Sequence, residues 1–242
     1  MTVLGRASRI GVVQSNDPSP DLFDRDFAAV IFDMDGTLVD STPAIVRTWT
    51  TWAIEHNITA EQLQGFHGVP SGDVIRSLLP ADRADAAIAR IDELEIADVA
   101  DVIALPGAAD ALAALPPDRA AIATSANRSL ALARLTAAGI EVPEVLVTVD
   151  DVTRGKPAPD PFLVAAERLG QDPADCLVVE DAPKGLAAAA AAGCARLAVV
   201  TTTPAEELEA DAIVPDLGVV RFAAIAGEQG RIRIRHVFRD GS

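Results

Sequence analysis

The chain has 242 residues, half of them apolar and 23% charged, which suits one large domain or a domain carrying an insertion, with a core that needs no disulfide or metal staple. Its formal charge of -16 excludes any general electrostatic attraction to nucleic acid or to an anionic membrane surface. The same charge repels small phosphate esters, so an anionic substrate needs a locally positive pocket or a metal ion.

Residues 1 to about 26 mix polar residues with Pro18 and Pro20 and are expected to form an arm outside the main fold. Arg6 and Arg9 are not followed by the apolar stretch of a signal peptide, and no apolar run reaches membrane-spanning length. A soluble, cytoplasmic protein is therefore expected. Phe27 to Phe32 is a continuous apolar run that stops at Asp33, as a central parallel strand covered on both faces would. From Pro43 to about Val102 the pattern turns helical, with Ile45, Trp49, Trp52 and Ala53 on one stripe. Helices are expected over 43–56, 59–64, 72–79 and 81–96, with Pro70 and Pro80 as breaks.

After Leu105-Pro106-Gly107 strands and helices alternate. The expected order is helix 108–115, strand 120–124, helix 128–138, strand 145–148, helix 160–169 and strand 176–180, then helix 183–192, strand 196–200 and a short helix near 204–209. Such alternation predicts a parallel α/β sheet with a Rossmann-like layering. The organisation is a core from 27–40 and 106–225, a helical insertion over 41–105 hinged at its two ends, and an extension over 226–242. Within that extension the alternating Arg231-Ile232-Arg233-Ile234-Arg235 predicts an edge strand in preference to an anion-binding strip. The two cysteines, Cys176 and Cys194, flank apolar runs and are expected to be buried free thiols.

Parallel α/β sheets bind ligands beyond the carboxyl ends of their strands. Asp33 and Asp35 follow the first strand, Thr124 and Ser125 the second, Lys156 lies in the connection after the third, and Glu180-Asp181 end the fourth. Gly36 permits a sharp turn that gives the first two carboxylates different tasks. One can attack phosphorus, and the other can donate a proton to a leaving alkoxide and later take one from water. Asp33, Glu180 and Asp181 supply the hard oxygen ligands that Mg²⁺ prefers, and Lys156 with the Thr124 hydroxyl would stabilise a transferring phosphoryl group.

These segments resemble the haloacid dehalogenase superfamily of phosphatases from residue 28 to about 222. Asp33-Met34-Asp35-Gly36-Thr37-Leu38-Val39-Asp40-Ser41 is similar to its first motif and Ala123-Thr124-Ser125 to its second. Gly155-Lys156-Pro157-Ala158-Pro159-Asp160 resembles the third, and Val179-Glu180-Asp181-Ala182-Pro183-Lys184-Gly185 the fourth. The resemblance implies a phospho-aspartyl intermediate on Asp33, with Asp35 as general acid and base. It also implies Mg²⁺ on Asp33, the backbone carbonyl of Asp35 and Asp181, with Glu180 nearby. The insertion resembles the small helical cap of the first subclass, and the sugar phosphatases and the glycerol-1-phosphatase and 2-deoxyglucose-6-phosphatase group are the most similar members. His67, Ser71 and Asp73 of the cap are candidate substrate contacts, and a small phosphorylated metabolite is the expected partner. A hexose phosphate mutase is the nearest rival, since it shares the four motifs, although such mutases carry a cap arginine just beyond a Gly-Val pair where this chain has Pro70 and Ser71. A catalytically silent binding module is the rival from another class. Asp35 argues against a dehalogenase, which has no alkoxide to protonate. No sequence feature reports the oligomeric state, and a monomer is compatible with it.

Overall fold

The structure, a computed structural model, describes residues 22–64, 69–225 and 230–237. In chain order it forms β1 (Asp26–Phe27), β2 (Ala29–Phe32), β3 (Val39–Asp40), the helices α1 (Thr42–His56), α2 (Ser71–Leu78) and α3 (Ala81–Ala97), and β4 (Ile103–Ala104). Then come α4 (Ala108–Ala113), β5 (Ala120–Ala123), α5 (Arg128–Ala137), β6 (Val145–Val147) and α6 (Asp160–Arg168). The chain continues through β7 (Cys176–Glu180), α7 (Pro183–Ala192), β8 (Ala195–Val199), β9 (Ala212–Val214), β10 (Val220–Ala224) and β11 (Ile232–His236).

Six of these strands pair in parallel in the order β6-β5-β2-β7-β8-β9. All of β2, β5 and β7 is buried, as near-continuous apolar strands with covered faces should be. The result is the Rossmann-like α/β fold that the alternation predicts. Central β2 has β5 on one side and β7 on the other, so the residues that leave these three strands converge at one edge. The Cys176 and Cys194 thiols are buried and free, and burial pushes both up to about 12.

Several boundaries differ from expectation. The apolar run at Phe27 is broken at Ala28, whose N–H leaves the ladder to donate to the Asp175 carbonyl at 2.7 Å. Residues 59–64 make a single 3-10 turn, Glu61–Leu63, because their side chains are mostly exposed and one turn buries too little to extend. The segment near 204–209 is likewise a 3-10 turn, Ala205–Glu207. Strand β11 is not an edge: it lies between β1 and β10 in an antiparallel three-stranded sheet. Ile232 and Ile234 are fully buried against the main core while the alternate arginines point away, and Arg233 holds Asp26 through two bonds of 2.6 Å. Strand β11 and the segment just before β2 therefore belong to one sheet. Of the expected N-terminal arm, residues 1–21 lie outside the described residues, whereas Leu22 is buried in the same cluster as Ile232.

The helical insertion leaves and rejoins the core through the two-residue ribbon β3·β4, Val39 opposite Ala104 and Asp40 opposite Ile103. It has a separate apolar cluster around Trp52, Ile75, Ala87 and Ile91. Trp52 is completely buried, and its indole N–H donates to the Ala87 carbonyl at 2.9 Å, tying α1 to α3. Trp52→Ala is expected to cost about 3–5 kcal/mol of stability, and Trp52→Phe, which keeps most of the packing and loses the bond, about 1–2 kcal/mol. Chemical denaturation checks both values; equal losses would mean that packing contributes little at this position.

Candidate active site

The turn after β2 brings the first carboxylates together. The Asp33 N–H donates to the Val179 carbonyl at 2.9 Å, continuing the ladder, and Gly36 then reverses the chain at φ +86°. A side chain at Gly36 would collide with the Asp181 carboxylate, so a glycine satisfies both the turn and the close approach. Thr124 leaves β5 next door with its N–H on the Val147 carbonyl at 2.9 Å. Its hydroxyl oxygen accepts from the Ala126 N–H at 3.1 Å, which leaves the hydroxyl proton for another acceptor.

Lys156 arrives from the loop after β6 and is buried. Its Nζ donates to Asp33 Oδ1 at 2.5 Å and to Glu180 Oε1 at 2.9 Å, with the Phe162 ring 5.1 Å beneath it. Both oxygens of Glu180 are engaged, since Oε2 accepts from the N–H groups of Asp181 (2.8 Å) and Ala182 (2.6 Å) at the start of α7. This seat exists because residue 185 is glycine: a Cβ there would fall on the Glu180 carboxylate. Asp181 accepts from Thr37 Oγ1 at 3.3 Å and from Thr202 Oγ1, and the Thr201 hydroxyl donates to the Gly36 carbonyl.

Oxygen atoms of Asp33, Glu180 and Asp181 lie within 4.8 Å of one another. Burial, opposed by the Lys156 charge, pushes Asp33 up to about 7, and burial with the neighbouring Glu180 and Asp33 charges raises Asp181 well above the carboxylate range. Burial works against the Lys156 charge, yet the Asp33 and Glu180 charges hold its pKa above the ordinary lysine value. Three buried carboxylates facing one ammonium form a donor set of hard oxygens with excess negative charge. Such a set fits a divalent metal ion.

Asp35 points elsewhere. Its Oδ1 accepts from Ser41 Oγ at 2.6 Å, and its Oδ2 lies 3.0 Å from Arg134 Nη1. Asp33, Asp35, Thr124, Ser125, Ser71, Glu180 and Asp181 all line one cavity of about 500 Å³, roofed by α1 and α2 with Ile45, Trp49 and Val74. Asp73 is exposed and does not contribute to that wall, and His67 lies outside the described residues. Sequence reasoning assigns no role to Ser41, Glu95, Arg134, Thr201 or Thr202. Thr201 and Thr202 follow β8, so the strand-end rule could have found them. Arg134 and Glu95 lie in the last turns of α5 and α3, away from any strand end, and carry no comparable signal.

A family model described as haloacid dehalogenase-like hydrolase matches residues 27–193. Hexitol phosphatase A of Escherichia coli (strain K12) is 42% identical over 176 residues, which is 70% of this chain and 81% of that protein. Glycerol-1-phosphate phosphohydrolase 2 of Saccharomyces cerevisiae is 36% identical, over 72% of this chain and 75% of its own length. Among solved structures, a hydrolase from Pseudomonas syringae has a TM-score of 0.73 at 28% identity, covering 79% of this chain and 94% of that one. No helix among the described residues is long and apolar enough to cross a membrane.

Proposed function

From the premise that the chain belongs to the haloacid dehalogenase-like hydrolase family, we propose that it is a phosphatase for a small polyol or sugar phosphate, working through a phosphorylated Asp33. The observation that carries this reading is Asp33 at the end of the central strand, 2.5 Å from a buried Lys156 and beside Asp181. A carboxylate so placed has a positive neighbour to draw the phosphoryl group in, and a cavity above it for the rest of the ester. The names of the hexitol and glycerol-1-phosphate relatives support the substrate class.

In the proposed sequence an Asp33 oxygen bonds to phosphorus as the ester P–O bond breaks, and Asp35 gives its proton to the departing alkoxide. Asp35 then takes a proton from water as that water attacks the acyl phosphate, releasing inorganic phosphate and restoring Asp33. Lys156 and the Thr124 hydroxyl stabilise the charge on the phosphoryl oxygens. Magnesium, held by Asp33, Asp181 and, following the resemblance, the Asp35 carbonyl, supplies further charge neutralisation when bound. Glu180 serves as a brace, with both oxygens committed to Lys156 and to backbone N–H groups. The mutase alternative draws no support from the described residues of the cap, where Arg76 is exposed and outside the cavity wall.

Phosphate release from p-nitrophenyl phosphate is expected with Mg²⁺ and is expected to stop with EDTA, and a panel of phosphorylated metabolites is expected to favour polyol or sugar monophosphates. Absence of turnover under every metal condition would overturn the enzymatic reading. Isomerisation of a hexose phosphate without net phosphate release would replace it with the mutase.

A further inference from the structure

A buried arginine on a core helix is costly, because removing a guanidinium from water is offset only by close, well-formed pairing. Arg134 has that pairing on both sides. Its Nη1 lies 3.0 Å from Asp35 Oδ2, and its Nη2 donates to Glu95 Oε1 at 2.9 Å. The Arg134 and Glu95 side chains are 4% and 5% exposed. Glu95 belongs to α3 of the helical insertion, whereas Arg134 belongs to α5 of the core, so one guanidinium spans the boundary between them.

All three residues line the cavity above Asp33. Burial raises the Glu95 pKa and the adjacent Arg134 charge opposes that shift, so the two buried charges offset each other across the contact between α3 and α5. Simple packing would be met more cheaply by an apolar residue, since replacing buried ion pairs by apolar groups is often neutral or stabilising. The third partner decides between these readings: the guanidinium fixes one oxygen of Asp35 while Ser41 fixes the other.

We propose that Arg134 is a positioning residue that orients the Asp35 carboxylate toward the leaving oxygen of the ester, and that Glu95 makes this orientation depend on α3 being seated on α5. The inference rests on the phosphatase reading above. It connects the insertion to the proton donor through side chains, in addition to any contact the insertion makes with substrate.

The test compares an alkyl phosphate such as glycerol 1-phosphate, whose alkoxide must be protonated, with p-nitrophenyl phosphate, whose leaving group needs little help. The full chain is used, with Asp35→Asn setting the full effect of losing the donor. Arg134→Met is expected to lower kcat on the alkyl phosphate ~10²-fold, the scale of a misplaced general acid, with a loss at least ~10-fold smaller on p-nitrophenyl phosphate and KM little changed. Arg134→Lys should recover part of the alkyl activity. Glu95→Gln, which keeps the shape and a hydrogen-bond acceptor, should show the same selectivity with a smaller loss. It carries the test if Arg134→Met fails to fold.

Equal losses on both substrates, or none on either, in a folded variant would overturn the positioning role. A wild-type chain that hydrolyses neither substrate would instead overturn the phosphatase reading.

Discussion

Asp33→Asn is expected to lower phosphate release by more than ~10³-fold while leaving the chain folded, because an amide is a poor nucleophile and removal of one member of a catalytic set removes most of the rate. The structure gives reason to expect that the variant folds. The amide side chain would keep the size of the carboxylate and the backbone bond to Val179, and Lys156 would retain Glu180 as its partner. Stability should even rise at alkaline pH in metal-free buffer. Burial pushes Asp33 up to about 7 from the ordinary carboxylate range, so the stability it contributes is fully present below about pH 4 and is lost as pH rises through 7. The amide carries no such penalty. Steady-state phosphate release and thermal unfolding at pH 5 and 8 check both halves. Undiminished turnover in a clean preparation would remove the nucleophile assignment.

The legible part of the site is the part that local chain chemistry writes down. Asp33, Thr124 and Glu180-Asp181 each stand where an apolar strand ends, and the pairing order β5-β2-β7 brings those ends side by side. The helices of the insertion are readable because Trp52, Ile75 and Ile91 fall on buried stripes. What escapes depends on contacts between distant segments. Arg134 follows Leu130 and Ala131 on a face that reads as ordinary packing, and Glu95 is 39 positions away in sequence. The three-stranded sheet joins residues 26 and 233, and its outer members are too short to announce the pairing, β1 with two residues and β10 alternating only from Val220 to Ala223. Glu61–Leu63 shows the opposite failure: a helix-compatible composition without an apolar face settles as one turn.

Lys156→Met should have a second large effect, and one that separates charge from packing. Methionine fills a similar volume over the Phe162 ring but leaves Asp33 and Glu180 without their shared cation. Breaking a buried pair from one side costs roughly 3–5 kcal/mol. In metal-free buffer the variant is expected to be less stable than the wild type by about that amount at pH 8. The deficit should shrink toward pH 5, where protonation removes the charge left on Asp33. Magnesium should also restore part of the loss, by binding the same carboxylates in the folded chain alone. Turnover should stay at least ~10²-fold down even at saturating magnesium, because the metal does not replace the ammonium against the phosphoryl oxygens. A stability loss that ignores both pH and magnesium would assign Lys156 to packing, and recovery of full turnover by magnesium would make its charge redundant in the reaction.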